Sequence, residues 1–254
     1  MTCKVLVPIY RYPTTDEMRA LHNNCQVLAA HNIAILAPED LDLGTLEQEF
    51  PVVEIIRVGD CWLGKRNGIA GYNRMMMSAE FYDMFTAWDY ILICHTDAWM
   101  FSDELLAWCD KGYDCVAAPW VRRWVYDLPV VKQYMSFRAW MRHRKGLKCR
   151  ADLYGRVGNG GLSLRCVKSF REGCVRYADI IERYLKGGSH LYNEDVFWAT
   201  VPQEFSYPDW REALHFAIDT NPSYCYRLLG GRLPMGCHSW TKPKMWRFWK
   251  KFIG

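Results

Sequence analysis

The chain has 254 residues and a formal net charge of +4 at pH 7; 50% of its residues are hydrophobic and 24% are charged. This composition excludes a disordered or fibrous chain and is typical of a globular protein. No apolar stretch approaches the ~20 residues that a membrane-spanning helix requires. We therefore predict a single domain that spans residues 1–254.

The start of the chain and its cysteines predict a location inside the cell. Pro8 and Arg11 interrupt the first apolar run too early for a signal peptide. The eleven cysteines are odd in number, scattered and never spaced C-x-x-C, which favours reduced thiols over disulfides. We expect a cytoplasmic protein, with peripheral contact at the inner face of the membrane as a further option.

Apolar segments alternate with helical patterns through the first part of the chain, in the manner of βαβ units. Strands are predicted at residues 3–10, 33–37, 52–58, 90–94 and 114–118. Helices are predicted between them at residues 15–31, 68–85 and 102–111, the last capped by Ser102 and ended by Gly112. The pattern predicts an α/β fold with a mostly parallel central sheet and helices on both faces.

A basic and aromatic segment at residues 120–155 interrupts this alternation and is predicted to be a helical insertion. Its residues 120–150 carry nine basic residues and one acidic residue, Asp127, a net formal charge of +8, with aromatic side chains between them. Such a mixture could receive an anionic acceptor, a lipid-diphosphate sugar or nucleic acid. It could equally be a solvated helical flap.

The second half of the chain returns to regular patterns. We predict a strand at 157–165, helical segments over 167–186, a helix capped by Asn193 and a strand at 213–218. The basic and aromatic tail at 241–254 has the composition of an interfacial membrane helix, but its length also suits packing on the domain.

The most informative residue is Asp97, which follows the apolar run of the predicted strand at 90–94. A carboxylate there lies at the carboxyl edge of the sheet, where open α/β folds bind ligands. Two later segments could complete a site, the acids Glu194 and Asp195 at a helix start and the imidazole of His238. Together they predict a metal site with an adjacent base.

Motifs in six regions, in this order, resemble a family proposed to be bacterial glycosyltransferases of the GT-A type, long catalogued as a domain of unknown function. The resemblance covers nearly the whole chain and leaves only residues 120–150 outside it. The segments that carry it include Gly71-Tyr-Asn-Arg74, Thr96-Asp97-Ala98-Trp99, Ala118-Pro119-Trp120, Gly158-Asn-Gly-Gly161, Asn193-Glu-Asp-Val196 and Gly236-Cys-His238.

The resemblance implies a GT-A-like domain that binds a nucleotide-sugar donor, with a UDP-sugar the first expectation, and a glycan, lipid-linked or other hydroxyl acceptor. Asp97 is similar to the surviving acid of the D-x-D motif, whose first acid is replaced here by His95, and His238 is similar to a second ligand of Mn or Mg. Asp195 is similar to the base of inverting enzymes, with Glu194 orienting the acceptor or a neighbouring group. The resemblance also implies substrate contacts at Tyr72, Asn73, Arg74, Trp99, Asn159, Gly160 and Gly161.

The chemistry of these residues agrees with the resemblance. A bound cation neutralises a departing diphosphate, and mixed nitrogen and oxygen ligands suit Mn somewhat better than Mg. A nearby carboxylate can take the proton of the attacking hydroxyl. Each residue also has a simpler explanation: Asp97 as a turn former, Glu194 and Asp195 as acids that favour a helix start, and His238 as a core histidine. A metal-dependent phosphohydrolase and a non-catalytic module for nucleic acid or anionic glycan remain alternatives.

Overall fold

The structure is a computed structural model that describes residues 1–64 and 67–254. The strands are β1 (Cys3–Pro8), β2 (Asn32–Pro38), β3 (Glu54–Val58), β4 (Tyr90–Cys94), β5 (Ala98–Met100), β6 (Cys115–Pro119), β7 (Val157–Cys166), β8 (Ala217–Ile218) and β9 (Gly236–His238). The helices are α1 (Thr15–Val27), α2 (Leu46–Glu49), α3 (Gly68–Met76), α4 (Ala79–Asp83), α5 (Leu105–Cys109), α6 (Pro129–Arg144), α7 (Val167–Arg176), α8 (Ala178–Leu185), α9 (Glu194–Thr200), α10 (Trp210–Phe216), α11 (Pro222–Leu228) and α12 (Pro243–Trp249). Short 3₁₀ helices lie at Trp124–Asp127, Arg150–Leu153 and His190–Tyr192.

Within the described residues, the central sheet has the strand order β3-β2-β1-β4-β7-β6. The neighbours from β3 to β4 are parallel, whereas β7 runs antiparallel to both β4 and β6. Every residue of β1 and β4 is buried, which is typical of central strands that are covered on both faces. The predicted α/β fold with a mostly parallel sheet is confirmed.

The two faces of the sheet bury separate cores, because successive side chains of a strand point to opposite sides. Ile91 and Ile93 of β4 pack in a core to which α3, α7 and α9 contribute. Leu92 and Cys94 pack in a second core, to which α5 and α10 contribute. The apolar run at 90–94 therefore fixes β4 in the middle of the molecule and directs its end toward one edge of the sheet.

A small second sheet, in the order β5-β9-β8, connects the two halves of the chain. Its β5 begins directly after Asp97, and Ala98 pairs with His238 of β9 in an antiparallel register. Parallel pairing of Ile218 with Cys237 adds β8 on the other side of β9. This sheet brings residues far apart in sequence to the edge where β4 ends.

Several predicted helix boundaries differ from the observed ones. The helix predicted at 68–85 is divided into α3 and α4, because Ser78 has an extended backbone and its hydroxyl accepts the N–H of Phe81 at 3.2 Å. The helical segment at 167–186 is likewise divided between α7 and α8. Ser102 does not cap α5; the carboxylate of Asp103 accepts the N–H of Leu105 instead, at 3.2 Å.

The strand predicted at 213–218 is wrong for most of its length. Residues up to Phe216 belong to α10, which begins where the carboxylate of Asp209 accepts the N–H of Arg211 at 2.9 Å. Only Ala217–Ile218 is a strand. Asn193 does occupy the position before α9, but its side chain makes no capping hydrogen bond to the helix.

The insertion and the tail differ in how they contact the domain. Helix α6 of the insertion has no buried residue, and its exposed rings Phe137 and Trp140 stack on each other with centroids 5.9 Å apart. In the tail, Met245, Trp249 and Ile253 are buried, so α12 packs on the domain. Among the described residues, no helix combines the length and the apolar character needed to cross a bilayer.

Candidate active site

A cluster of two histidines and one aspartate lies where β4 ends. Asp97 follows β4 by three residues, as predicted, and His238 is the last residue of β9. The Nε2 atom of His238 lies 3.0 Å from Oδ1 of Asp97. His95, Asp97 and His238 each offer one ligand atom, and these atoms all lie within 4.8 Å of one another. The structure thus brings the two predicted ligands together and adds His95.

Asp219 holds the ring of His238 from its other side. It follows β8 directly, and its Oδ1 lies 2.6 Å from Nδ1 of His238. A carboxylate in this position fixes the orientation of a metal-binding imidazole. Asp219 was not identified from the sequence, although it too is an acid that comes shortly after a strand.

The charges within this cluster depend on one another. Burial opposes a charge on His238, but the carboxylates of Asp97 and Asp219 outweigh it and raise the pKa of the imidazole to about 10. Burial also opposes the charge on Asp97, yet His238 lowers the pKa of Asp97 well below its usual range. The cluster alone therefore holds an ion pair, and a cation bound at Nε2 of His238 would take the place of a proton.

His95 has the opposite electrostatic surroundings. Burial, and next the positive charge of His238, lower its pKa to about 3. Its Nε2 is hydrogen-bonded to the hydroxyl of Tyr72 at 2.8 Å. The imidazole is therefore neutral and oriented at physiological pH, which is the state that binds a metal.

The glycine segment of β7 leaves room for the cluster. A Cβ atom on Gly161 would lie 2.1 Å from Nε2 of His238, and one on Gly160 would lie 2.2 Å from Oε1 of Glu194. The oxygen of Asn159 accepts the N–H of Gly161 at 3.2 Å. Because neighbouring residues of a strand face opposite sides, β7 separates His238 from Glu194.

Glu194 forms a buried ion pair with Arg165 of β7. Each residue is only 2% exposed, and Nη2 of Arg165 lies 3.1 Å and 3.0 Å from the two carboxylate oxygens. The oxygen of Asn73 accepts the N–H of Glu194 at 3.1 Å, and its amide donates to Asn193 at 3.2 Å. Glu194 and Asn73 thus connect α3, β7 and α9 to one another. Among the roles considered for Glu194, this geometry favours orienting a neighbouring group.

Asp195 differs from its neighbour because it has no cationic partner in the part of the chain that the structure describes. Burial, and next the carboxylate of Glu194, raise its pKa to about 7. The charge of Asp219 acts in the same direction, and that of Asp195 in turn raises the pKa of Tyr72. Asp195 therefore interacts electrostatically with Asp219 and Tyr72, the two residues that hydrogen-bond to His238 and His95.

A cavity of about 400 Å³ opens in front of the cluster. Its walls include Tyr10, Tyr72, His95, Asp97 and His238, at the carboxyl ends of β1 and β4. Its volume is within the range of small-molecule sites. Arg74 is exposed outside this wall, and Trp99 is buried in a core, edge-on to another indole.

Solved glycosyltransferases share this architecture. The galactosyltransferase LgtC, in complex with donor and acceptor sugar analogs, has a TM-score of 0.53 at 13% identity, covering 92% of this chain and 86% of LgtC. An active-site mutant of LgtC has a TM-score of 0.54 at 14% identity with the same coverage. The glycosyltransferase GlyE from Streptococcus pneumoniae TIGR4 has a TM-score of 0.50 at 14% identity, covering 97% of this chain and 56% of GlyE. The chain therefore has the GT-A fold.

No curated protein sequence matches the chain. One family model does, over residues 53–238, and it is described as a protein of unknown function, DUF5672. Since the match covers well over half of the sequence and includes Asp97, Asp195 and His238, the chain belongs to the DUF5672 family.

Proposed function

We propose that the protein is a glycosyltransferase that moves a sugar from a nucleotide diphosphate sugar to a hydroxyl group of an acceptor. One observation carries the proposal: within a GT-A fold, His95, Asp97 and His238 converge at the carboxyl edge of the sheet, in the wall of a cavity of about 400 Å³. A structural neighbour, LgtC, has been crystallised with donor and acceptor sugar analogs, which supports substrates of the same general kind here.

The three residues fit a divalent cation. They offer two imidazole nitrogens and one carboxylate oxygen, a set that suits Mn²⁺ better than Mg²⁺. Gly161 is required beside them, because any Cβ there would collide with the ring of His238. When bound, the cation would neutralise the negative charge that develops on the departing nucleotide diphosphate.

Three neighbouring residues orient the proposed ligands or add charge beside them. Asp219 fixes the ring of His238, and Tyr72 fixes that of His95. Lys242 contributes a further positive charge, which helps to lower the pKa of Asp97, and its Nζ donates to the hydroxyl of Ser239 at 2.8 Å. The cavity in front of them is the proposed donor site, with a UDP-sugar as the first candidate.

Asp195 is the proposed base. In the reaction, the acceptor hydroxyl gives its proton to the carboxylate of Asp195, the hydroxyl oxygen bonds to the anomeric carbon, and the bond from that carbon to the diphosphate breaks. A single displacement of this kind inverts the anomeric configuration. The pKa of about 7 suits the task, since a base works best when its pKa is near the working pH.

The proposed place of action is the cytoplasm. All eleven cysteines are free thiols in the structure, which supports a reducing compartment.

Donor binding tests the proposal most directly. The melting temperature is measured with a panel of nucleotide sugars, each with Mn²⁺ and with EDTA. A ligand at about 100 times its dissociation constant adds about 2.7 kcal/mol to the free energy of unfolding. We expect one donor to stabilise the protein in a Mn²⁺-dependent way, and the Asp97→Ala variant to lose this effect. If no nucleotide sugar stabilises the protein with either addition, the proposal is wrong.

A further inference from the structure

A second cavity, of about 940 Å³, lies between the insertion (residues 120–155) and the tail (residues 241–254). Four of its wall residues are cationic: Arg123 and Arg150 from the insertion, and Lys242 and Lys244 from the tail. The wall has a single carboxylate, that of Asp219. Since Asp219 already holds Nδ1 of His238 at 2.6 Å, the cavity presents an excess of positive charge.

These cations lack anionic partners within residues 1–64 and 67–254, where no carboxylate lies within 4.0 Å of any of the four. The adjacent Arg122 differs, because it pairs with Asp127 at 3.2 Å. A group of like charges that face one cavity repel one another, and an anion bound among them would relieve that repulsion.

The cavity also has an aromatic wall. The rings of Tyr126 and Tyr154 stack with centroids 5.7 Å apart and an interplanar angle of 29°. Trp120 lines the same space. Flat apolar surfaces beside cations suit a ligand that has both a ring and an anionic group.

The position of the cavity connects it to the proposed reaction. His238 and Asp219 form one hydrogen-bonded pair, yet His238 lines the smaller cavity and Asp219 lines the larger one. The pair is therefore a shared wall between the two spaces. The proposed base is also close to the larger cavity: a Cβ atom on Gly158 would lie 3.3 Å from the carbonyl oxygen of Asp195 and 3.2 Å from the ring of Trp120, which lines that cavity.

Resting on the proposed function, we propose that the larger cavity is the acceptor site and that the acceptor carries a phosphate group near its reactive hydroxyl. A phosphate monoester carries a charge of about −1.5 to −2 at pH 7, which suits a wall with four cations better than the single charge of a carboxylate does. Guanidinium groups bind phosphate oxygens through paired hydrogen bonds, which assigns Arg123 and Arg150 as the main phosphate contacts.

The test compares two double variants that remove the same charge from the insertion. The R123Q/R150Q variant changes the cavity wall, whereas the control R138Q/R144Q changes two arginines of α6 that contact Tyr134 and Trp140 outside it. Isothermal titration with inorganic phosphate and with methyl α-glucoside 6-phosphate is performed in EDTA, which keeps divalent cations away from the first cavity. The unphosphorylated methyl α-glucoside is the neutral reference.

We expect both phosphate probes to bind the wild-type protein, with the neutral glucoside at least about tenfold weaker than its phosphate. R123Q/R150Q should weaken phosphate binding about tenfold or more, while R138Q/R144Q leaves it within about twofold. Equal weakening in both variants, equal affinity for the neutral glucoside, or no phosphate binding would overturn the inference.

Two further measurements separate this inference from the proposed function and identify the source of the phosphate. Mn²⁺-dependent donor binding is measured in the same variants. If the donor binds and phosphate does not, only the acceptor inference fails. If phosphate binds and no nucleotide sugar does, the proposed function fails. Dodecyl phosphate below its micellar concentration is compared with inorganic phosphate. Tighter binding of the dodecyl form indicates a lipid-linked acceptor and equal binding a soluble one, and either result supports the phosphate site.

Discussion

Two charged clusters lie on opposite sides of β7, and they differ in what surrounds them. We call Arg165 and Glu194 the closed cluster, and His95, Asp97 and His238 the open cluster. Glu194 and Arg165 are each 2% exposed and pair only with protein groups. Asp97 and His238 line a cavity, and with His95 they offer ligand atoms that converge within 4.8 Å. A buried ion pair is costly to break, because the remaining charge loses its partner, whereas charges that converge on a cavity are arranged for a ligand to bind.

The comparison also explains why adjacent acids have different properties. Glu194 and Asp195 follow each other at the start of α9, but only Glu194 contacts Arg165. Asp195 is left with the effects of burial and of the negative charge beside it, and its pKa rises to about 7. The closed cluster thus shapes the chemistry of its neighbour by fixing a carboxylate next to it.

The largest effect is expected at the open cluster. In Asp97→Ala, transfer should fall to background and Mn²⁺ should no longer raise donor affinity, because one of the three proposed cation ligands is lost. The matched control is Asp103→Ala, which removes a carboxylate 2.9 Å from the imidazole of His31, outside the cavity. Radiolabelled transfer and donor titration measure both. Unchanged turnover in Asp97→Ala would remove the metal role.

Asp195→Asn should lower kcat by about 10²- to 10⁴-fold, the usual contribution of a general base. Donor affinity should stay nearly constant, since the proposed contact of Asp195 is with the acceptor hydroxyl. Steady-state kinetics with separate donor titration distinguish the two quantities. A fall in donor affinity by the same factor would make Asp195 a binding residue instead.

The closed cluster should affect stability before it affects chemistry. Glu194→Gln leaves the buried guanidinium of Arg165 without a charged partner, and we expect the free energy of unfolding to fall by about 3–5 kcal/mol. The control is Glu182→Gln, which breaks an exposed pair with Lys186 at 3.3 Å and should cost less than about 1 kcal/mol. Urea denaturation measures both variants. Equal losses would show that burial does not distinguish the two ion pairs.

The two clusters also show which features of the site could be predicted from the sequence and which could not. The position of Asp97 was predictable, because a continuous apolar run is long enough to define β4 and the acid lies three residues after its end. Residue chemistry and the family resemblance both suggested that Asp97 and His238 share a site, although nothing local in the sequence indicates that β5 pairs with β9. Gly161 was expected only as a substrate contact, and nothing in the sequence predicted that it makes room for His238.

The remaining residues depend on contacts between distant segments. Asp219 meets His238 only because the two-residue strand β8 pairs with β9, and the apolar segment at 213–218 was predicted to be a strand although most of it belongs to α10. Arg165 and Glu194 belong to separate elements, so their pairing is a result of packing across the sheet. Local patterns thus predicted the elements and some of the site residues, and the tertiary structure decided their partners.

A smaller effect is expected at Asp219. Asp219→Asn removes the carboxylate that orients the ring of His238 and stabilises the proton at its Nδ1, so Mn²⁺ affinity should fall about 10- to 100-fold. Added Mn²⁺ should restore much of the transfer rate, which Asp97→Ala would not allow. Transfer measured against Mn²⁺ concentration gives the apparent dissociation constant. A rate that stays low at saturating Mn²⁺ would place Asp219 in the reaction itself.

The smallest effect is a shift in pH dependence, and it tests whether the two clusters communicate. Asp195 acts as a base only when it is deprotonated, so kcat/KM should rise with pH through about 7 and then level off. The negative charge of Glu194 helps to raise that pKa, so Glu194→Gln should move the rising limb to lower pH, while Glu182→Gln should leave it in place. The limb should be absent in Asp195→Asn. A limb that stays in place in Glu194→Gln would show that the charge of Glu194 does not raise the pKa of Asp195, and that the closed cluster contributes only to folding.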